Sequence, residues 1–366
     1  MVCSSYINIL IDRHYRVGKT RANVLGKNQS GRNKMKLPRF EFIQPHSLEE
    51  AFSILREHDS NAVLLAGGTA LMVSLRYRLS KPAVVIGLKG LKALDYVRRN
   101  GSGGLTIGSM VTLETLEKSA LVLNDYAPLA QAAQLVGIPS IRHGATIGGN
   151  LCLDTRCIYY NQSEFWRSGL KACFKLGGDV CNAVEKGRRC QAVYQGDLGP
   201  VLIALGAEVK IASANGEKII PSAEFFTGRG EKPNVLKPDE ILVEVRIPTP
   251  GQGAAGAYEK LRVREGMDFP MAGVAVMVKK NRDGTIEQAK IVLGAVGPSP
   301  REVPKATGLL EGHKPTEDLL QSVSRAVMDL AQPVGNLAMD AGYRRKMVGA
   351  LVKRALRRAL AMAPES

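Results

Sequence analysis

The sequence has no long apolar run and no grouping of residues for acid–base or nucleophilic catalysis. Hydrophobic residues make up 45% of its 366 positions, yet no stretch approaches the ~18 apolar residues of a membrane-spanning helix. No cysteine pairs with a histidine, and no nucleophile with a nearby general base is visible. We therefore expect no membrane partner and no catalytic residue in this chain. The five histidines are scattered, at His14, His46, His58, His143 and His313.

The positive charge of the chain is concentrated at its start. Residues 1–36 carry eight Lys and Arg against Asp12 alone, so this segment supplies +7 of the net charge of +16. It lacks the apolar core of a signal peptide, although an organellar presequence would look similar. We expect residues 1–36 to be a disordered arm or an overextended start. The remainder is only moderately basic, which indicates a cytoplasmic protein with no nucleic-acid partner.

Cysteine is scarce, but four of the six cysteines lie within 34 residues with the spacing C-x15-C-x7-C-x8-C. This is the number of thiolates that one iron–sulfur cluster or one structural zinc requires. The sequence between them holds little that could form a hydrophobic core. A loop of this length therefore needs an internal cross-link to be ordered. The candidate metal ligands are Cys157, Cys173, Cys181 and Cys190.

Other interpretations of these cysteines remain open. No two of them form the C-x2-C pair that zinc sites usually show. Two disulfide bridges are disfavoured in a cytosolic protein, and four unrelated thiols are also compatible with the spacing. Cys152 lies outside the pattern, and we expect it to be a small buried side chain.

Two glycine elements predict close approach of the backbone to an anion. In the first, a strand-like run at 61–66 breaks at GGT (67–69) and resumes as a helix at 70–76. The second, TIGGN (146–150), follows a predicted helix at 126–136. Together they could hold one diphosphate from two sides. Each could also be an ordinary turn, since neither matches G-x-G-x-x-G or G-x-x-x-x-G-K-[ST].

Three motifs together resemble the flavin-binding subunits of the molybdenum hydroxylases, the family of xanthine dehydrogenase and the carbon monoxide dehydrogenase medium subunit. They are LLAGGTAL (64–71), ATIGGN (145–150) and GDLGPVLIALGAEV (196–209). About forty extra residues separate the last two motifs and contain the four cysteines. This insertion resembles the 4-hydroxybenzoyl-CoA reductase branch, whose flavin subunit carries an additional [4Fe–4S] cluster.

The resemblance implies an α+β fold in two parts. A PCMH-type FAD-binding domain of two subdomains would occupy residues 37–252, with the inserted Fe–S loop at about 155–192. A carbon monoxide dehydrogenase flavoprotein-like C-terminal domain would occupy residues 253–366. The pattern of that last third predicts strands at 272–278 and 289–296 with a hairpin turn at 281–284, and helices at 316–331 and 342–362.

The resemblance also assigns FAD contacts to individual positions. Lys260 would place a positive charge near the flavin ring, although a surface lysine is the simpler interpretation of the residue alone. Asp197 would bind a polar edge of the cofactor, or it could cap a helix. The implied FAD-binding residues are Leu64, Leu65, Ala66, Gly67, Gly68, Thr69, Ala70, Leu71, Val136, Thr146, Ile147, Gly148, Gly149, Asn150, Asp197, Leu242 and Lys260.

The implied function is electron transfer within an oxidoreductase complex. This subunit would carry FAD and [4Fe–4S]. Its partners would be a large subunit with the molybdenum cofactor and a small [2Fe–2S] subunit, in a heterohexamer with two copies of each. A ferredoxin-like donor would supply electrons for removal of the hydroxyl group of 4-hydroxybenzoyl-CoA. An oxidative hydroxylase of another aromatic compound and a standalone flavoprotein with a zinc loop are the alternatives.

Overall fold

The computed structural model describes residues 37–336 and 338–363. The expectation for the basic leader, residues 1–36, falls outside this range. Within the described part of the chain, no helix is both long and apolar enough to cross a membrane.

The first subdomain is a small parallel sheet covered by one helix. Its three strands lie in the order β1-β3-β2. Ser47 caps the first helix, where its hydroxyl accepts from the N–H of Glu50, and Glu50 in turn accepts from the N–H of His46. The elements are β1 (Glu41–Ile43), α1 (Leu48–His58), β2 (Ala62–Leu65), α2 (Leu71–Arg76) and β3 (Val84–Gly87).

The second subdomain is an antiparallel sheet of five strands backed by short helices. Its strands run in the order β4-β5-β10-β6-β7, so β10 returns late in the chain to the centre of the sheet. The elements are β4 (Val97–Arg99), β5 (Leu105–Gly108), α3 (Leu113–Lys118), α4 (Ala120–Asp125), α5 (Ala127–Gln134), α6 (Pro139–Gly144), α7 (Ile147–Leu151), α8 (Glu164–Ser168), α9 (Leu198–Ala204), β6 (Glu208–Ser213), β7 (Gly216–Pro221), the hairpin β8 (Phe226–Arg229) and β9 (Lys232–Asn234), and β10 (Ile241–Ile247).

The cysteine segment forms an irregular layer outside these sheets and is anchored by one buried arginine. Arg167, in α8, is 9% exposed and donates to the carbonyl oxygens of Tyr77 at 3.2 Å, Arg78 at 2.9 Å and Gln162. Tyr160 adds a bond from its hydroxyl to the carbonyl of Leu79. The inserted loop is therefore attached to the segment that follows α2.

The last third forms an antiparallel sheet in the order β11-β12-β13-β14, packed against two long helices. The predicted hairpin is confirmed, since the N–H of Gly284 donates to the carbonyl of Asn281. Both predicted helices are also confirmed, capped by Thr316 and Asp340. The elements are β11 (Ala254–Leu261), β12 (Ala272–Lys280), β13 (Ile286–Gly294), β14 (Arg301–Glu302), α10 (Pro304–Thr307), α11 (Glu317–Leu330) and α12 (Ala341–Met362).

The basic helix α12 packs its apolar stripe on its own domain. Leu351, Ala355 and Leu356 are buried in the core shared with β11 and β12. One basic residue of this helix, Arg344, is buried as well. Its guanidinium donates to the carbonyl oxygens of Met271 and Ala295. This helix therefore contributes to the stability of the domain.

Candidate functional site

The two glycine elements lie against each other in the folded chain. A Cβ atom added to Gly67 would lie 1.9 Å from the carbonyl oxygen of Gly144, and one added to Gly149 would lie 3.8 Å from the Cβ of Ala66. No side chain fits at Gly67, because the turn meets the backbone of Gly144 and Ala145, directly before the second element. The structure thus brings together two segments that are about eighty positions apart in the sequence.

The first element turns the chain from β2 into α2. Gly68 has φ +72°, in the left-handed region that glycine adopts without strain. The N–H of Met72 donates to Gly68 and that of Ser74 to Ala70, both at 3.1 Å. The N–H groups of the residues just before Met72 lie at the open amino end of the helix. They form a set of hydrogen-bond donors suited to an anion. Residues 62–70 are half-buried, which leaves the turn reachable from outside.

The second element is shaped by its own side chains. The hydroxyl oxygen of Thr146 accepts from the N–H of Gly149 at 3.1 Å and caps α7. The Oδ1 of Asn150 accepts from the N–H of Leu198 at 3.1 Å, which joins this element to the third motif. The hydroxyl proton of Thr146 and the amide nitrogen of Asn150 remain as donors for a ligand.

Leu242 is placed by the sheet near the second element. It lies in β10 and its side chain is part of the core, at 4% exposure. Two backbone bonds link its neighbourhood to the glycines, from Ser109 N–H to the carbonyl of Val243 and from Gly148 N–H to the carbonyl of Ser109. A contact of Leu242 with a cofactor would therefore come from its backbone.

A buried ion pair joins the third motif to the C-terminal domain. The Nζ of Lys260 lies 3.1 Å from Oδ2 of Asp197, and their side chains are 1% and 3% exposed. Tyr258 donates its hydroxyl to Oδ1 of Asp197 at 2.8 Å. Lys260 also donates to the carbonyl of Leu135 at 2.8 Å, next to Val136. Three sequence-predicted contacts, Lys260, Asp197 and Val136, thus belong to one connected region.

The environment of this pair decides between the interpretations left open by the sequence. Lys260 is not a surface lysine. Asp197 stands at the cap position of α9, but its side chain makes no capping bond and pairs with Lys260 and Tyr258 instead. Burial raises the pKa of Asp197, and Lys260 and Tyr258 act in the opposite direction. Burial raises the pKa of Tyr258 well above its ordinary value, which keeps this phenol a donor.

The four cysteines of the insertion line one cavity. This space is small and partly open to solvent, and we call it the four-cysteine cavity. Local turns hold the ligands, for example the bond from the N–H of Cys157 to Oδ1 of Asn161 at 2.8 Å. At the buried end, the N–H of Ala192 donates to Sγ of Cys190 at 3.4 Å. The lining cysteines are Cys157, Cys173, Cys181 and Cys190.

All five cysteines in the described ranges are free thiols, so no disulfide joins them. Burial raises the pKa of Cys157, and the neighbouring Cys181 and Cys173 add to this effect. Burial alone raises the pKa of Cys152 to about 12, and this side chain packs against the core as expected. Among the residues that the structure describes, no three Cys, His, Asp or Glu side chains are grouped tightly enough to hold a single metal ion.

Sequence reasoning did not single out several polar residues that build these sites. The sequence gives no direct signal for the roles of Tyr258, Lys175 and Gly230, which the fold places at these sites. Lys175 lines the four-cysteine cavity. A Cβ at Gly230 would lie 2.7 Å from Sγ of Cys190. The position of Lys175 two residues after Cys173 was the only available signal, and it does not reveal the distant partners.

Comparison with known families matches nearly all of the described chain. A family model for the FAD binding domain in molybdopterin dehydrogenase matches residues 38–250. This match alone spans more than half of the sequence. The chain belongs to the FAD-binding subunits of the molybdenum hydroxylases. A second model, for the carbon monoxide dehydrogenase flavoprotein C-terminal domain, matches residues 256–359 of this flavin subunit.

Individual relatives agree with this assignment. The flavin subunit is 30% identical to the carbon monoxide dehydrogenase medium chain of Hydrogenophaga pseudoflava, with 88% of this chain and 98% of the relative covered. It is also 30% identical to the caffeine dehydrogenase subunit beta of Pseudomonas sp. (strain CBB1), covering 89% and 96%. A structure of the Hydrogenophaga pseudoflava carbon monoxide dehydrogenase that lacks the Mo-pyranopterin moiety aligns with a TM-score of 0.74 at 29% identity, covering 90% and 100%. These relatives are subunits of dehydrogenases.

The residues present fit the flavin that the family implies. The two glycine elements lie side by side, and no side chain would fit at Gly67. Lys260 uses two of its three donors on Asp197 and Leu135, which leaves one for a ligand. The expected fold, a PCMH-type FAD-binding domain followed by a carbon monoxide dehydrogenase flavoprotein-like C-terminal domain, is confirmed.

The buried pair predicts a strong coupling between two substitutions. Lys260→Met strands the carboxylate of Asp197 in the interior, which should lower the free energy of unfolding by about 3–5 kcal/mol. The double variant Lys260→Met/Asp197→Asn removes both charges and should recover part of that loss. Urea denaturation of the four proteins of this cycle measures the coupling.

A surface pair in the same domain is the matched control. Lys279 and Glu287 are partly exposed and 2.8 Å apart, so Lys279→Met should cost at most about 1 kcal/mol. If Lys260→Met lowers the free energy of unfolding by no more than Lys279→Met does, the buried pair does not stabilise the contact between the two domains.

The contact between the glycine elements predicts a selective loss of flavin. Gly149→Val places branched atoms beside Thr146 and Ala66, where FAD must approach, so bound flavin per chain should fall at least tenfold. Gly101→Val is the control, because a Cβ there meets nothing within 4 Å. Flavin absorbance after gel filtration gives the ratio, and circular dichroism verifies folding. Equal flavin content in Gly149→Val and Gly101→Val would disprove that the two glycine elements hold the diphosphate. Gly68→Val is a poorer test, because its positive φ strains any side chain.

Proposed function

We propose that this flavin subunit is the FAD- and [4Fe–4S]-containing electron-transfer subunit of a molybdenum enzyme that converts 4-hydroxybenzoyl-CoA to benzoyl-CoA. The observation that carries the proposal is the convergence of all four inserted cysteines on one cavity. Four free thiols that close on one space are the ligand set of a [4Fe–4S] cluster. The insertion that contains them resembles the 4-hydroxybenzoyl-CoA reductase branch of the family.

The donor set of the cavity supports a cluster. Every ligand is a cysteine, and thiolates are the ligands of iron–sulfur clusters. The N–H of Ala192 bonds to Sγ of Cys190, and hydrogen bonds to the sulfurs are among the factors that set cluster potential. Cys157 lines both the four-cysteine cavity and a larger neighbouring cavity. That larger cavity reaches Gln195, two positions before Asp197, so the proposed metal and flavin regions adjoin.

The proposed roles of the flavin-site residues follow their geometry. The glycine element at 64–71 would hold the diphosphate through backbone N–H groups, and the element at 146–150 would add the hydroxyl of Thr146 and the side-chain amide of Asn150. Asp197 would keep Lys260 charged and in place. FAD and a cluster held by four thiolates supply electron storage and single-electron transfer at low potential. Lys260, with its remaining donor, would favour the anionic reduced form of the ring.

The overall reaction consumes two electrons and two protons and releases the phenolic oxygen as water. Its electrons would come from a ferredoxin-like donor and reach the substrate on a large subunit with the molybdenum cofactor, through a small [2Fe–2S] subunit. We propose two copies of each subunit, a cytoplasmic complex and domain limits at residues 37–252 and 253–366. The names of the relatives, medium chain and subunit beta, support a multi-subunit complex.

An oxidative hydroxylase is the second candidate. The relatives are named as dehydrogenases of carbon monoxide, caffeine and nicotinate. In such an enzyme the same FAD and cluster would carry electrons away from another aromatic or heterocyclic substrate. A standalone flavoprotein with a structural zinc in the loop is a third possibility, and metal content separates it from both.

The cavity predicts the metal content of the protein. Chains purified without oxygen should contain about four iron and four sulfide each, the content of one [4Fe–4S] cluster. Cys181→Ser removes one ligand and should lower bound iron to less than half. Cys152→Ser, outside the cavity, should leave it unchanged. Metal analysis of the three proteins tests this. Stoichiometric zinc without iron would refute the cluster and favour the zinc loop.

The proposed reaction predicts activity only in a complex. With reduced viologen as donor, the complex purified from its native source should convert 4-hydroxybenzoyl-CoA to benzoyl-CoA. The isolated chain should only pass electrons between artificial donors and acceptors, since it offers no catalytic group for the substrate. Chromatography of the thioesters measures the product. Oxidation of another aromatic compound without any benzoyl-CoA would favour the second candidate, and the absence of co-purifying partners would refute a subunit role.

A further inference from the structure

One charged side chain at the four-cysteine cavity is almost fully buried. Lys175 lies in the 3₁₀ turn Phe174–Leu176, which begins directly after Cys173. Its side chain is 4% exposed, and it lines the cavity together with the four cysteines. A buried ammonium requires partners for its charge and its donors.

The partners of Lys175 come from two other parts of the chain. Its Nζ donates to Oδ1 of Asp154 and to the hydroxyl of Thr155, both at 2.6 Å, and to the carbonyl of Gly230 at 2.8 Å. Thr155 donates its hydroxyl to the same carbonyl of Gly230. The three donors of the ammonium are thereby all used.

These three bonds fix the surroundings of three cysteine ligands. Thr155 lies two positions before Cys157, and the turn that holds Lys175 begins at Cys173. Gly230, between β8 and β9, packs on Cys190 so closely that a Cβ there would lie 2.7 Å from Sγ. One ammonium therefore ties together strands of chain that approach the cavity from three directions.

The charge of Lys175 also acts on the sulfurs. Lys175 lines the same cavity as Cys190, and Gly230, whose carbonyl accepts from Lys175, packs on Cys190. Among the described residues, the carboxylate bonded to Lys175 is that of Asp154, and its side chain is 51% exposed. Because water screens that carboxylate more than the buried ammonium, Asp154 offsets the charge of Lys175 only in part.

We infer that Lys175 is a positioning residue of the four-cysteine site, which holds its ligand loops together and raises the reduction potential of the bound cluster. The inference rests on the cluster proposed above. Reduction adds one negative charge to a thiolate-ligated cluster, and a buried cation stabilises that added charge. Removal of the cation should make reduction harder, and removal of its carboxylate partner should make it easier.

Substitutions of opposite sign separate this role from a merely structural one. Lys175→Met should lower the equilibrium constant for one-electron reduction about tenfold, which corresponds to a shift of about 59 mV to more negative potential. Asp154→Asn keeps a hydrogen-bond acceptor, removes the negative charge and should shift the potential in the positive direction. Lys171→Met is the control, because Lys171 lies in the same loop and is exposed. A redox titration followed by electron paramagnetic resonance measures all of them.

Iron content is the second readout. If Lys175→Met binds no cluster but Lys175→Arg does, the positioning role is supported, and Asp154→Asn still tests the charge. Potentials of Lys175→Met and Asp154→Asn equal to that of Lys171→Met would overturn the inference. The charge role would also be overturned if Lys175→Met and Lys175→Arg both lost iron and the reduction potential of Asp154→Asn were unchanged. A wild-type chain without iron would instead refute the underlying cluster.

Discussion

The convergence of four thiols in a segment without a core is the constraint on which the inserted loop depends. Cys157 and Cys190 enclose a span of 34 residues, and the structure holds this span by polar bonds and turns. Arg167 attaches it to the first subdomain, and Lys175 attaches it to Asp154, in the segment after α7, and to the β8–β9 hairpin. A cluster bound by the four thiols would complete this set of ties from inside. The loop and the proposed cluster are thus expected to depend on each other for order.

The flavin region is built differently, around backbone contacts and one buried charge pair. The approach of Gly67 to Gly144 determines the distance between the two glycine elements that would hold the diphosphate. The pair of Asp197 and Lys260 connects α9 to β11 and so joins the flavin domain to the C-terminal domain. Because the larger cavity extends from Cys157 to Gln195, the two regions adjoin. That proximity is what a chain that passes electrons between a cluster and a flavin requires.

Local sequence patterns predicted helices and turns well. They predicted less well the side-chain environments that depend on contacts distant in the sequence. The capping box at Ser47, the GGT turn and the hairpin at 281–284 were predictable because each is determined by neighbouring residues. The burial of Lys260 was not predictable from its own residues, because its partners Asp197 and Leu135 lie 63 and 125 positions away. The cysteine spacing indicated a shared metal, but only the fold shows that the four thiols line one space. Lys175 gave no signal of its partners.

X-ray absorption at the iron edge of the anaerobically purified protein tests the central claim most directly. A cluster on the four cysteines predicts sulfur-only coordination of iron with scattering from neighbouring iron atoms, and loss of this spectrum in Cys181→Ser. It should persist in Cys152→Ser, because that thiol lies outside the cavity. A spectrum of single metal ions without metal–metal scattering, or zinc in place of iron, would contradict the account.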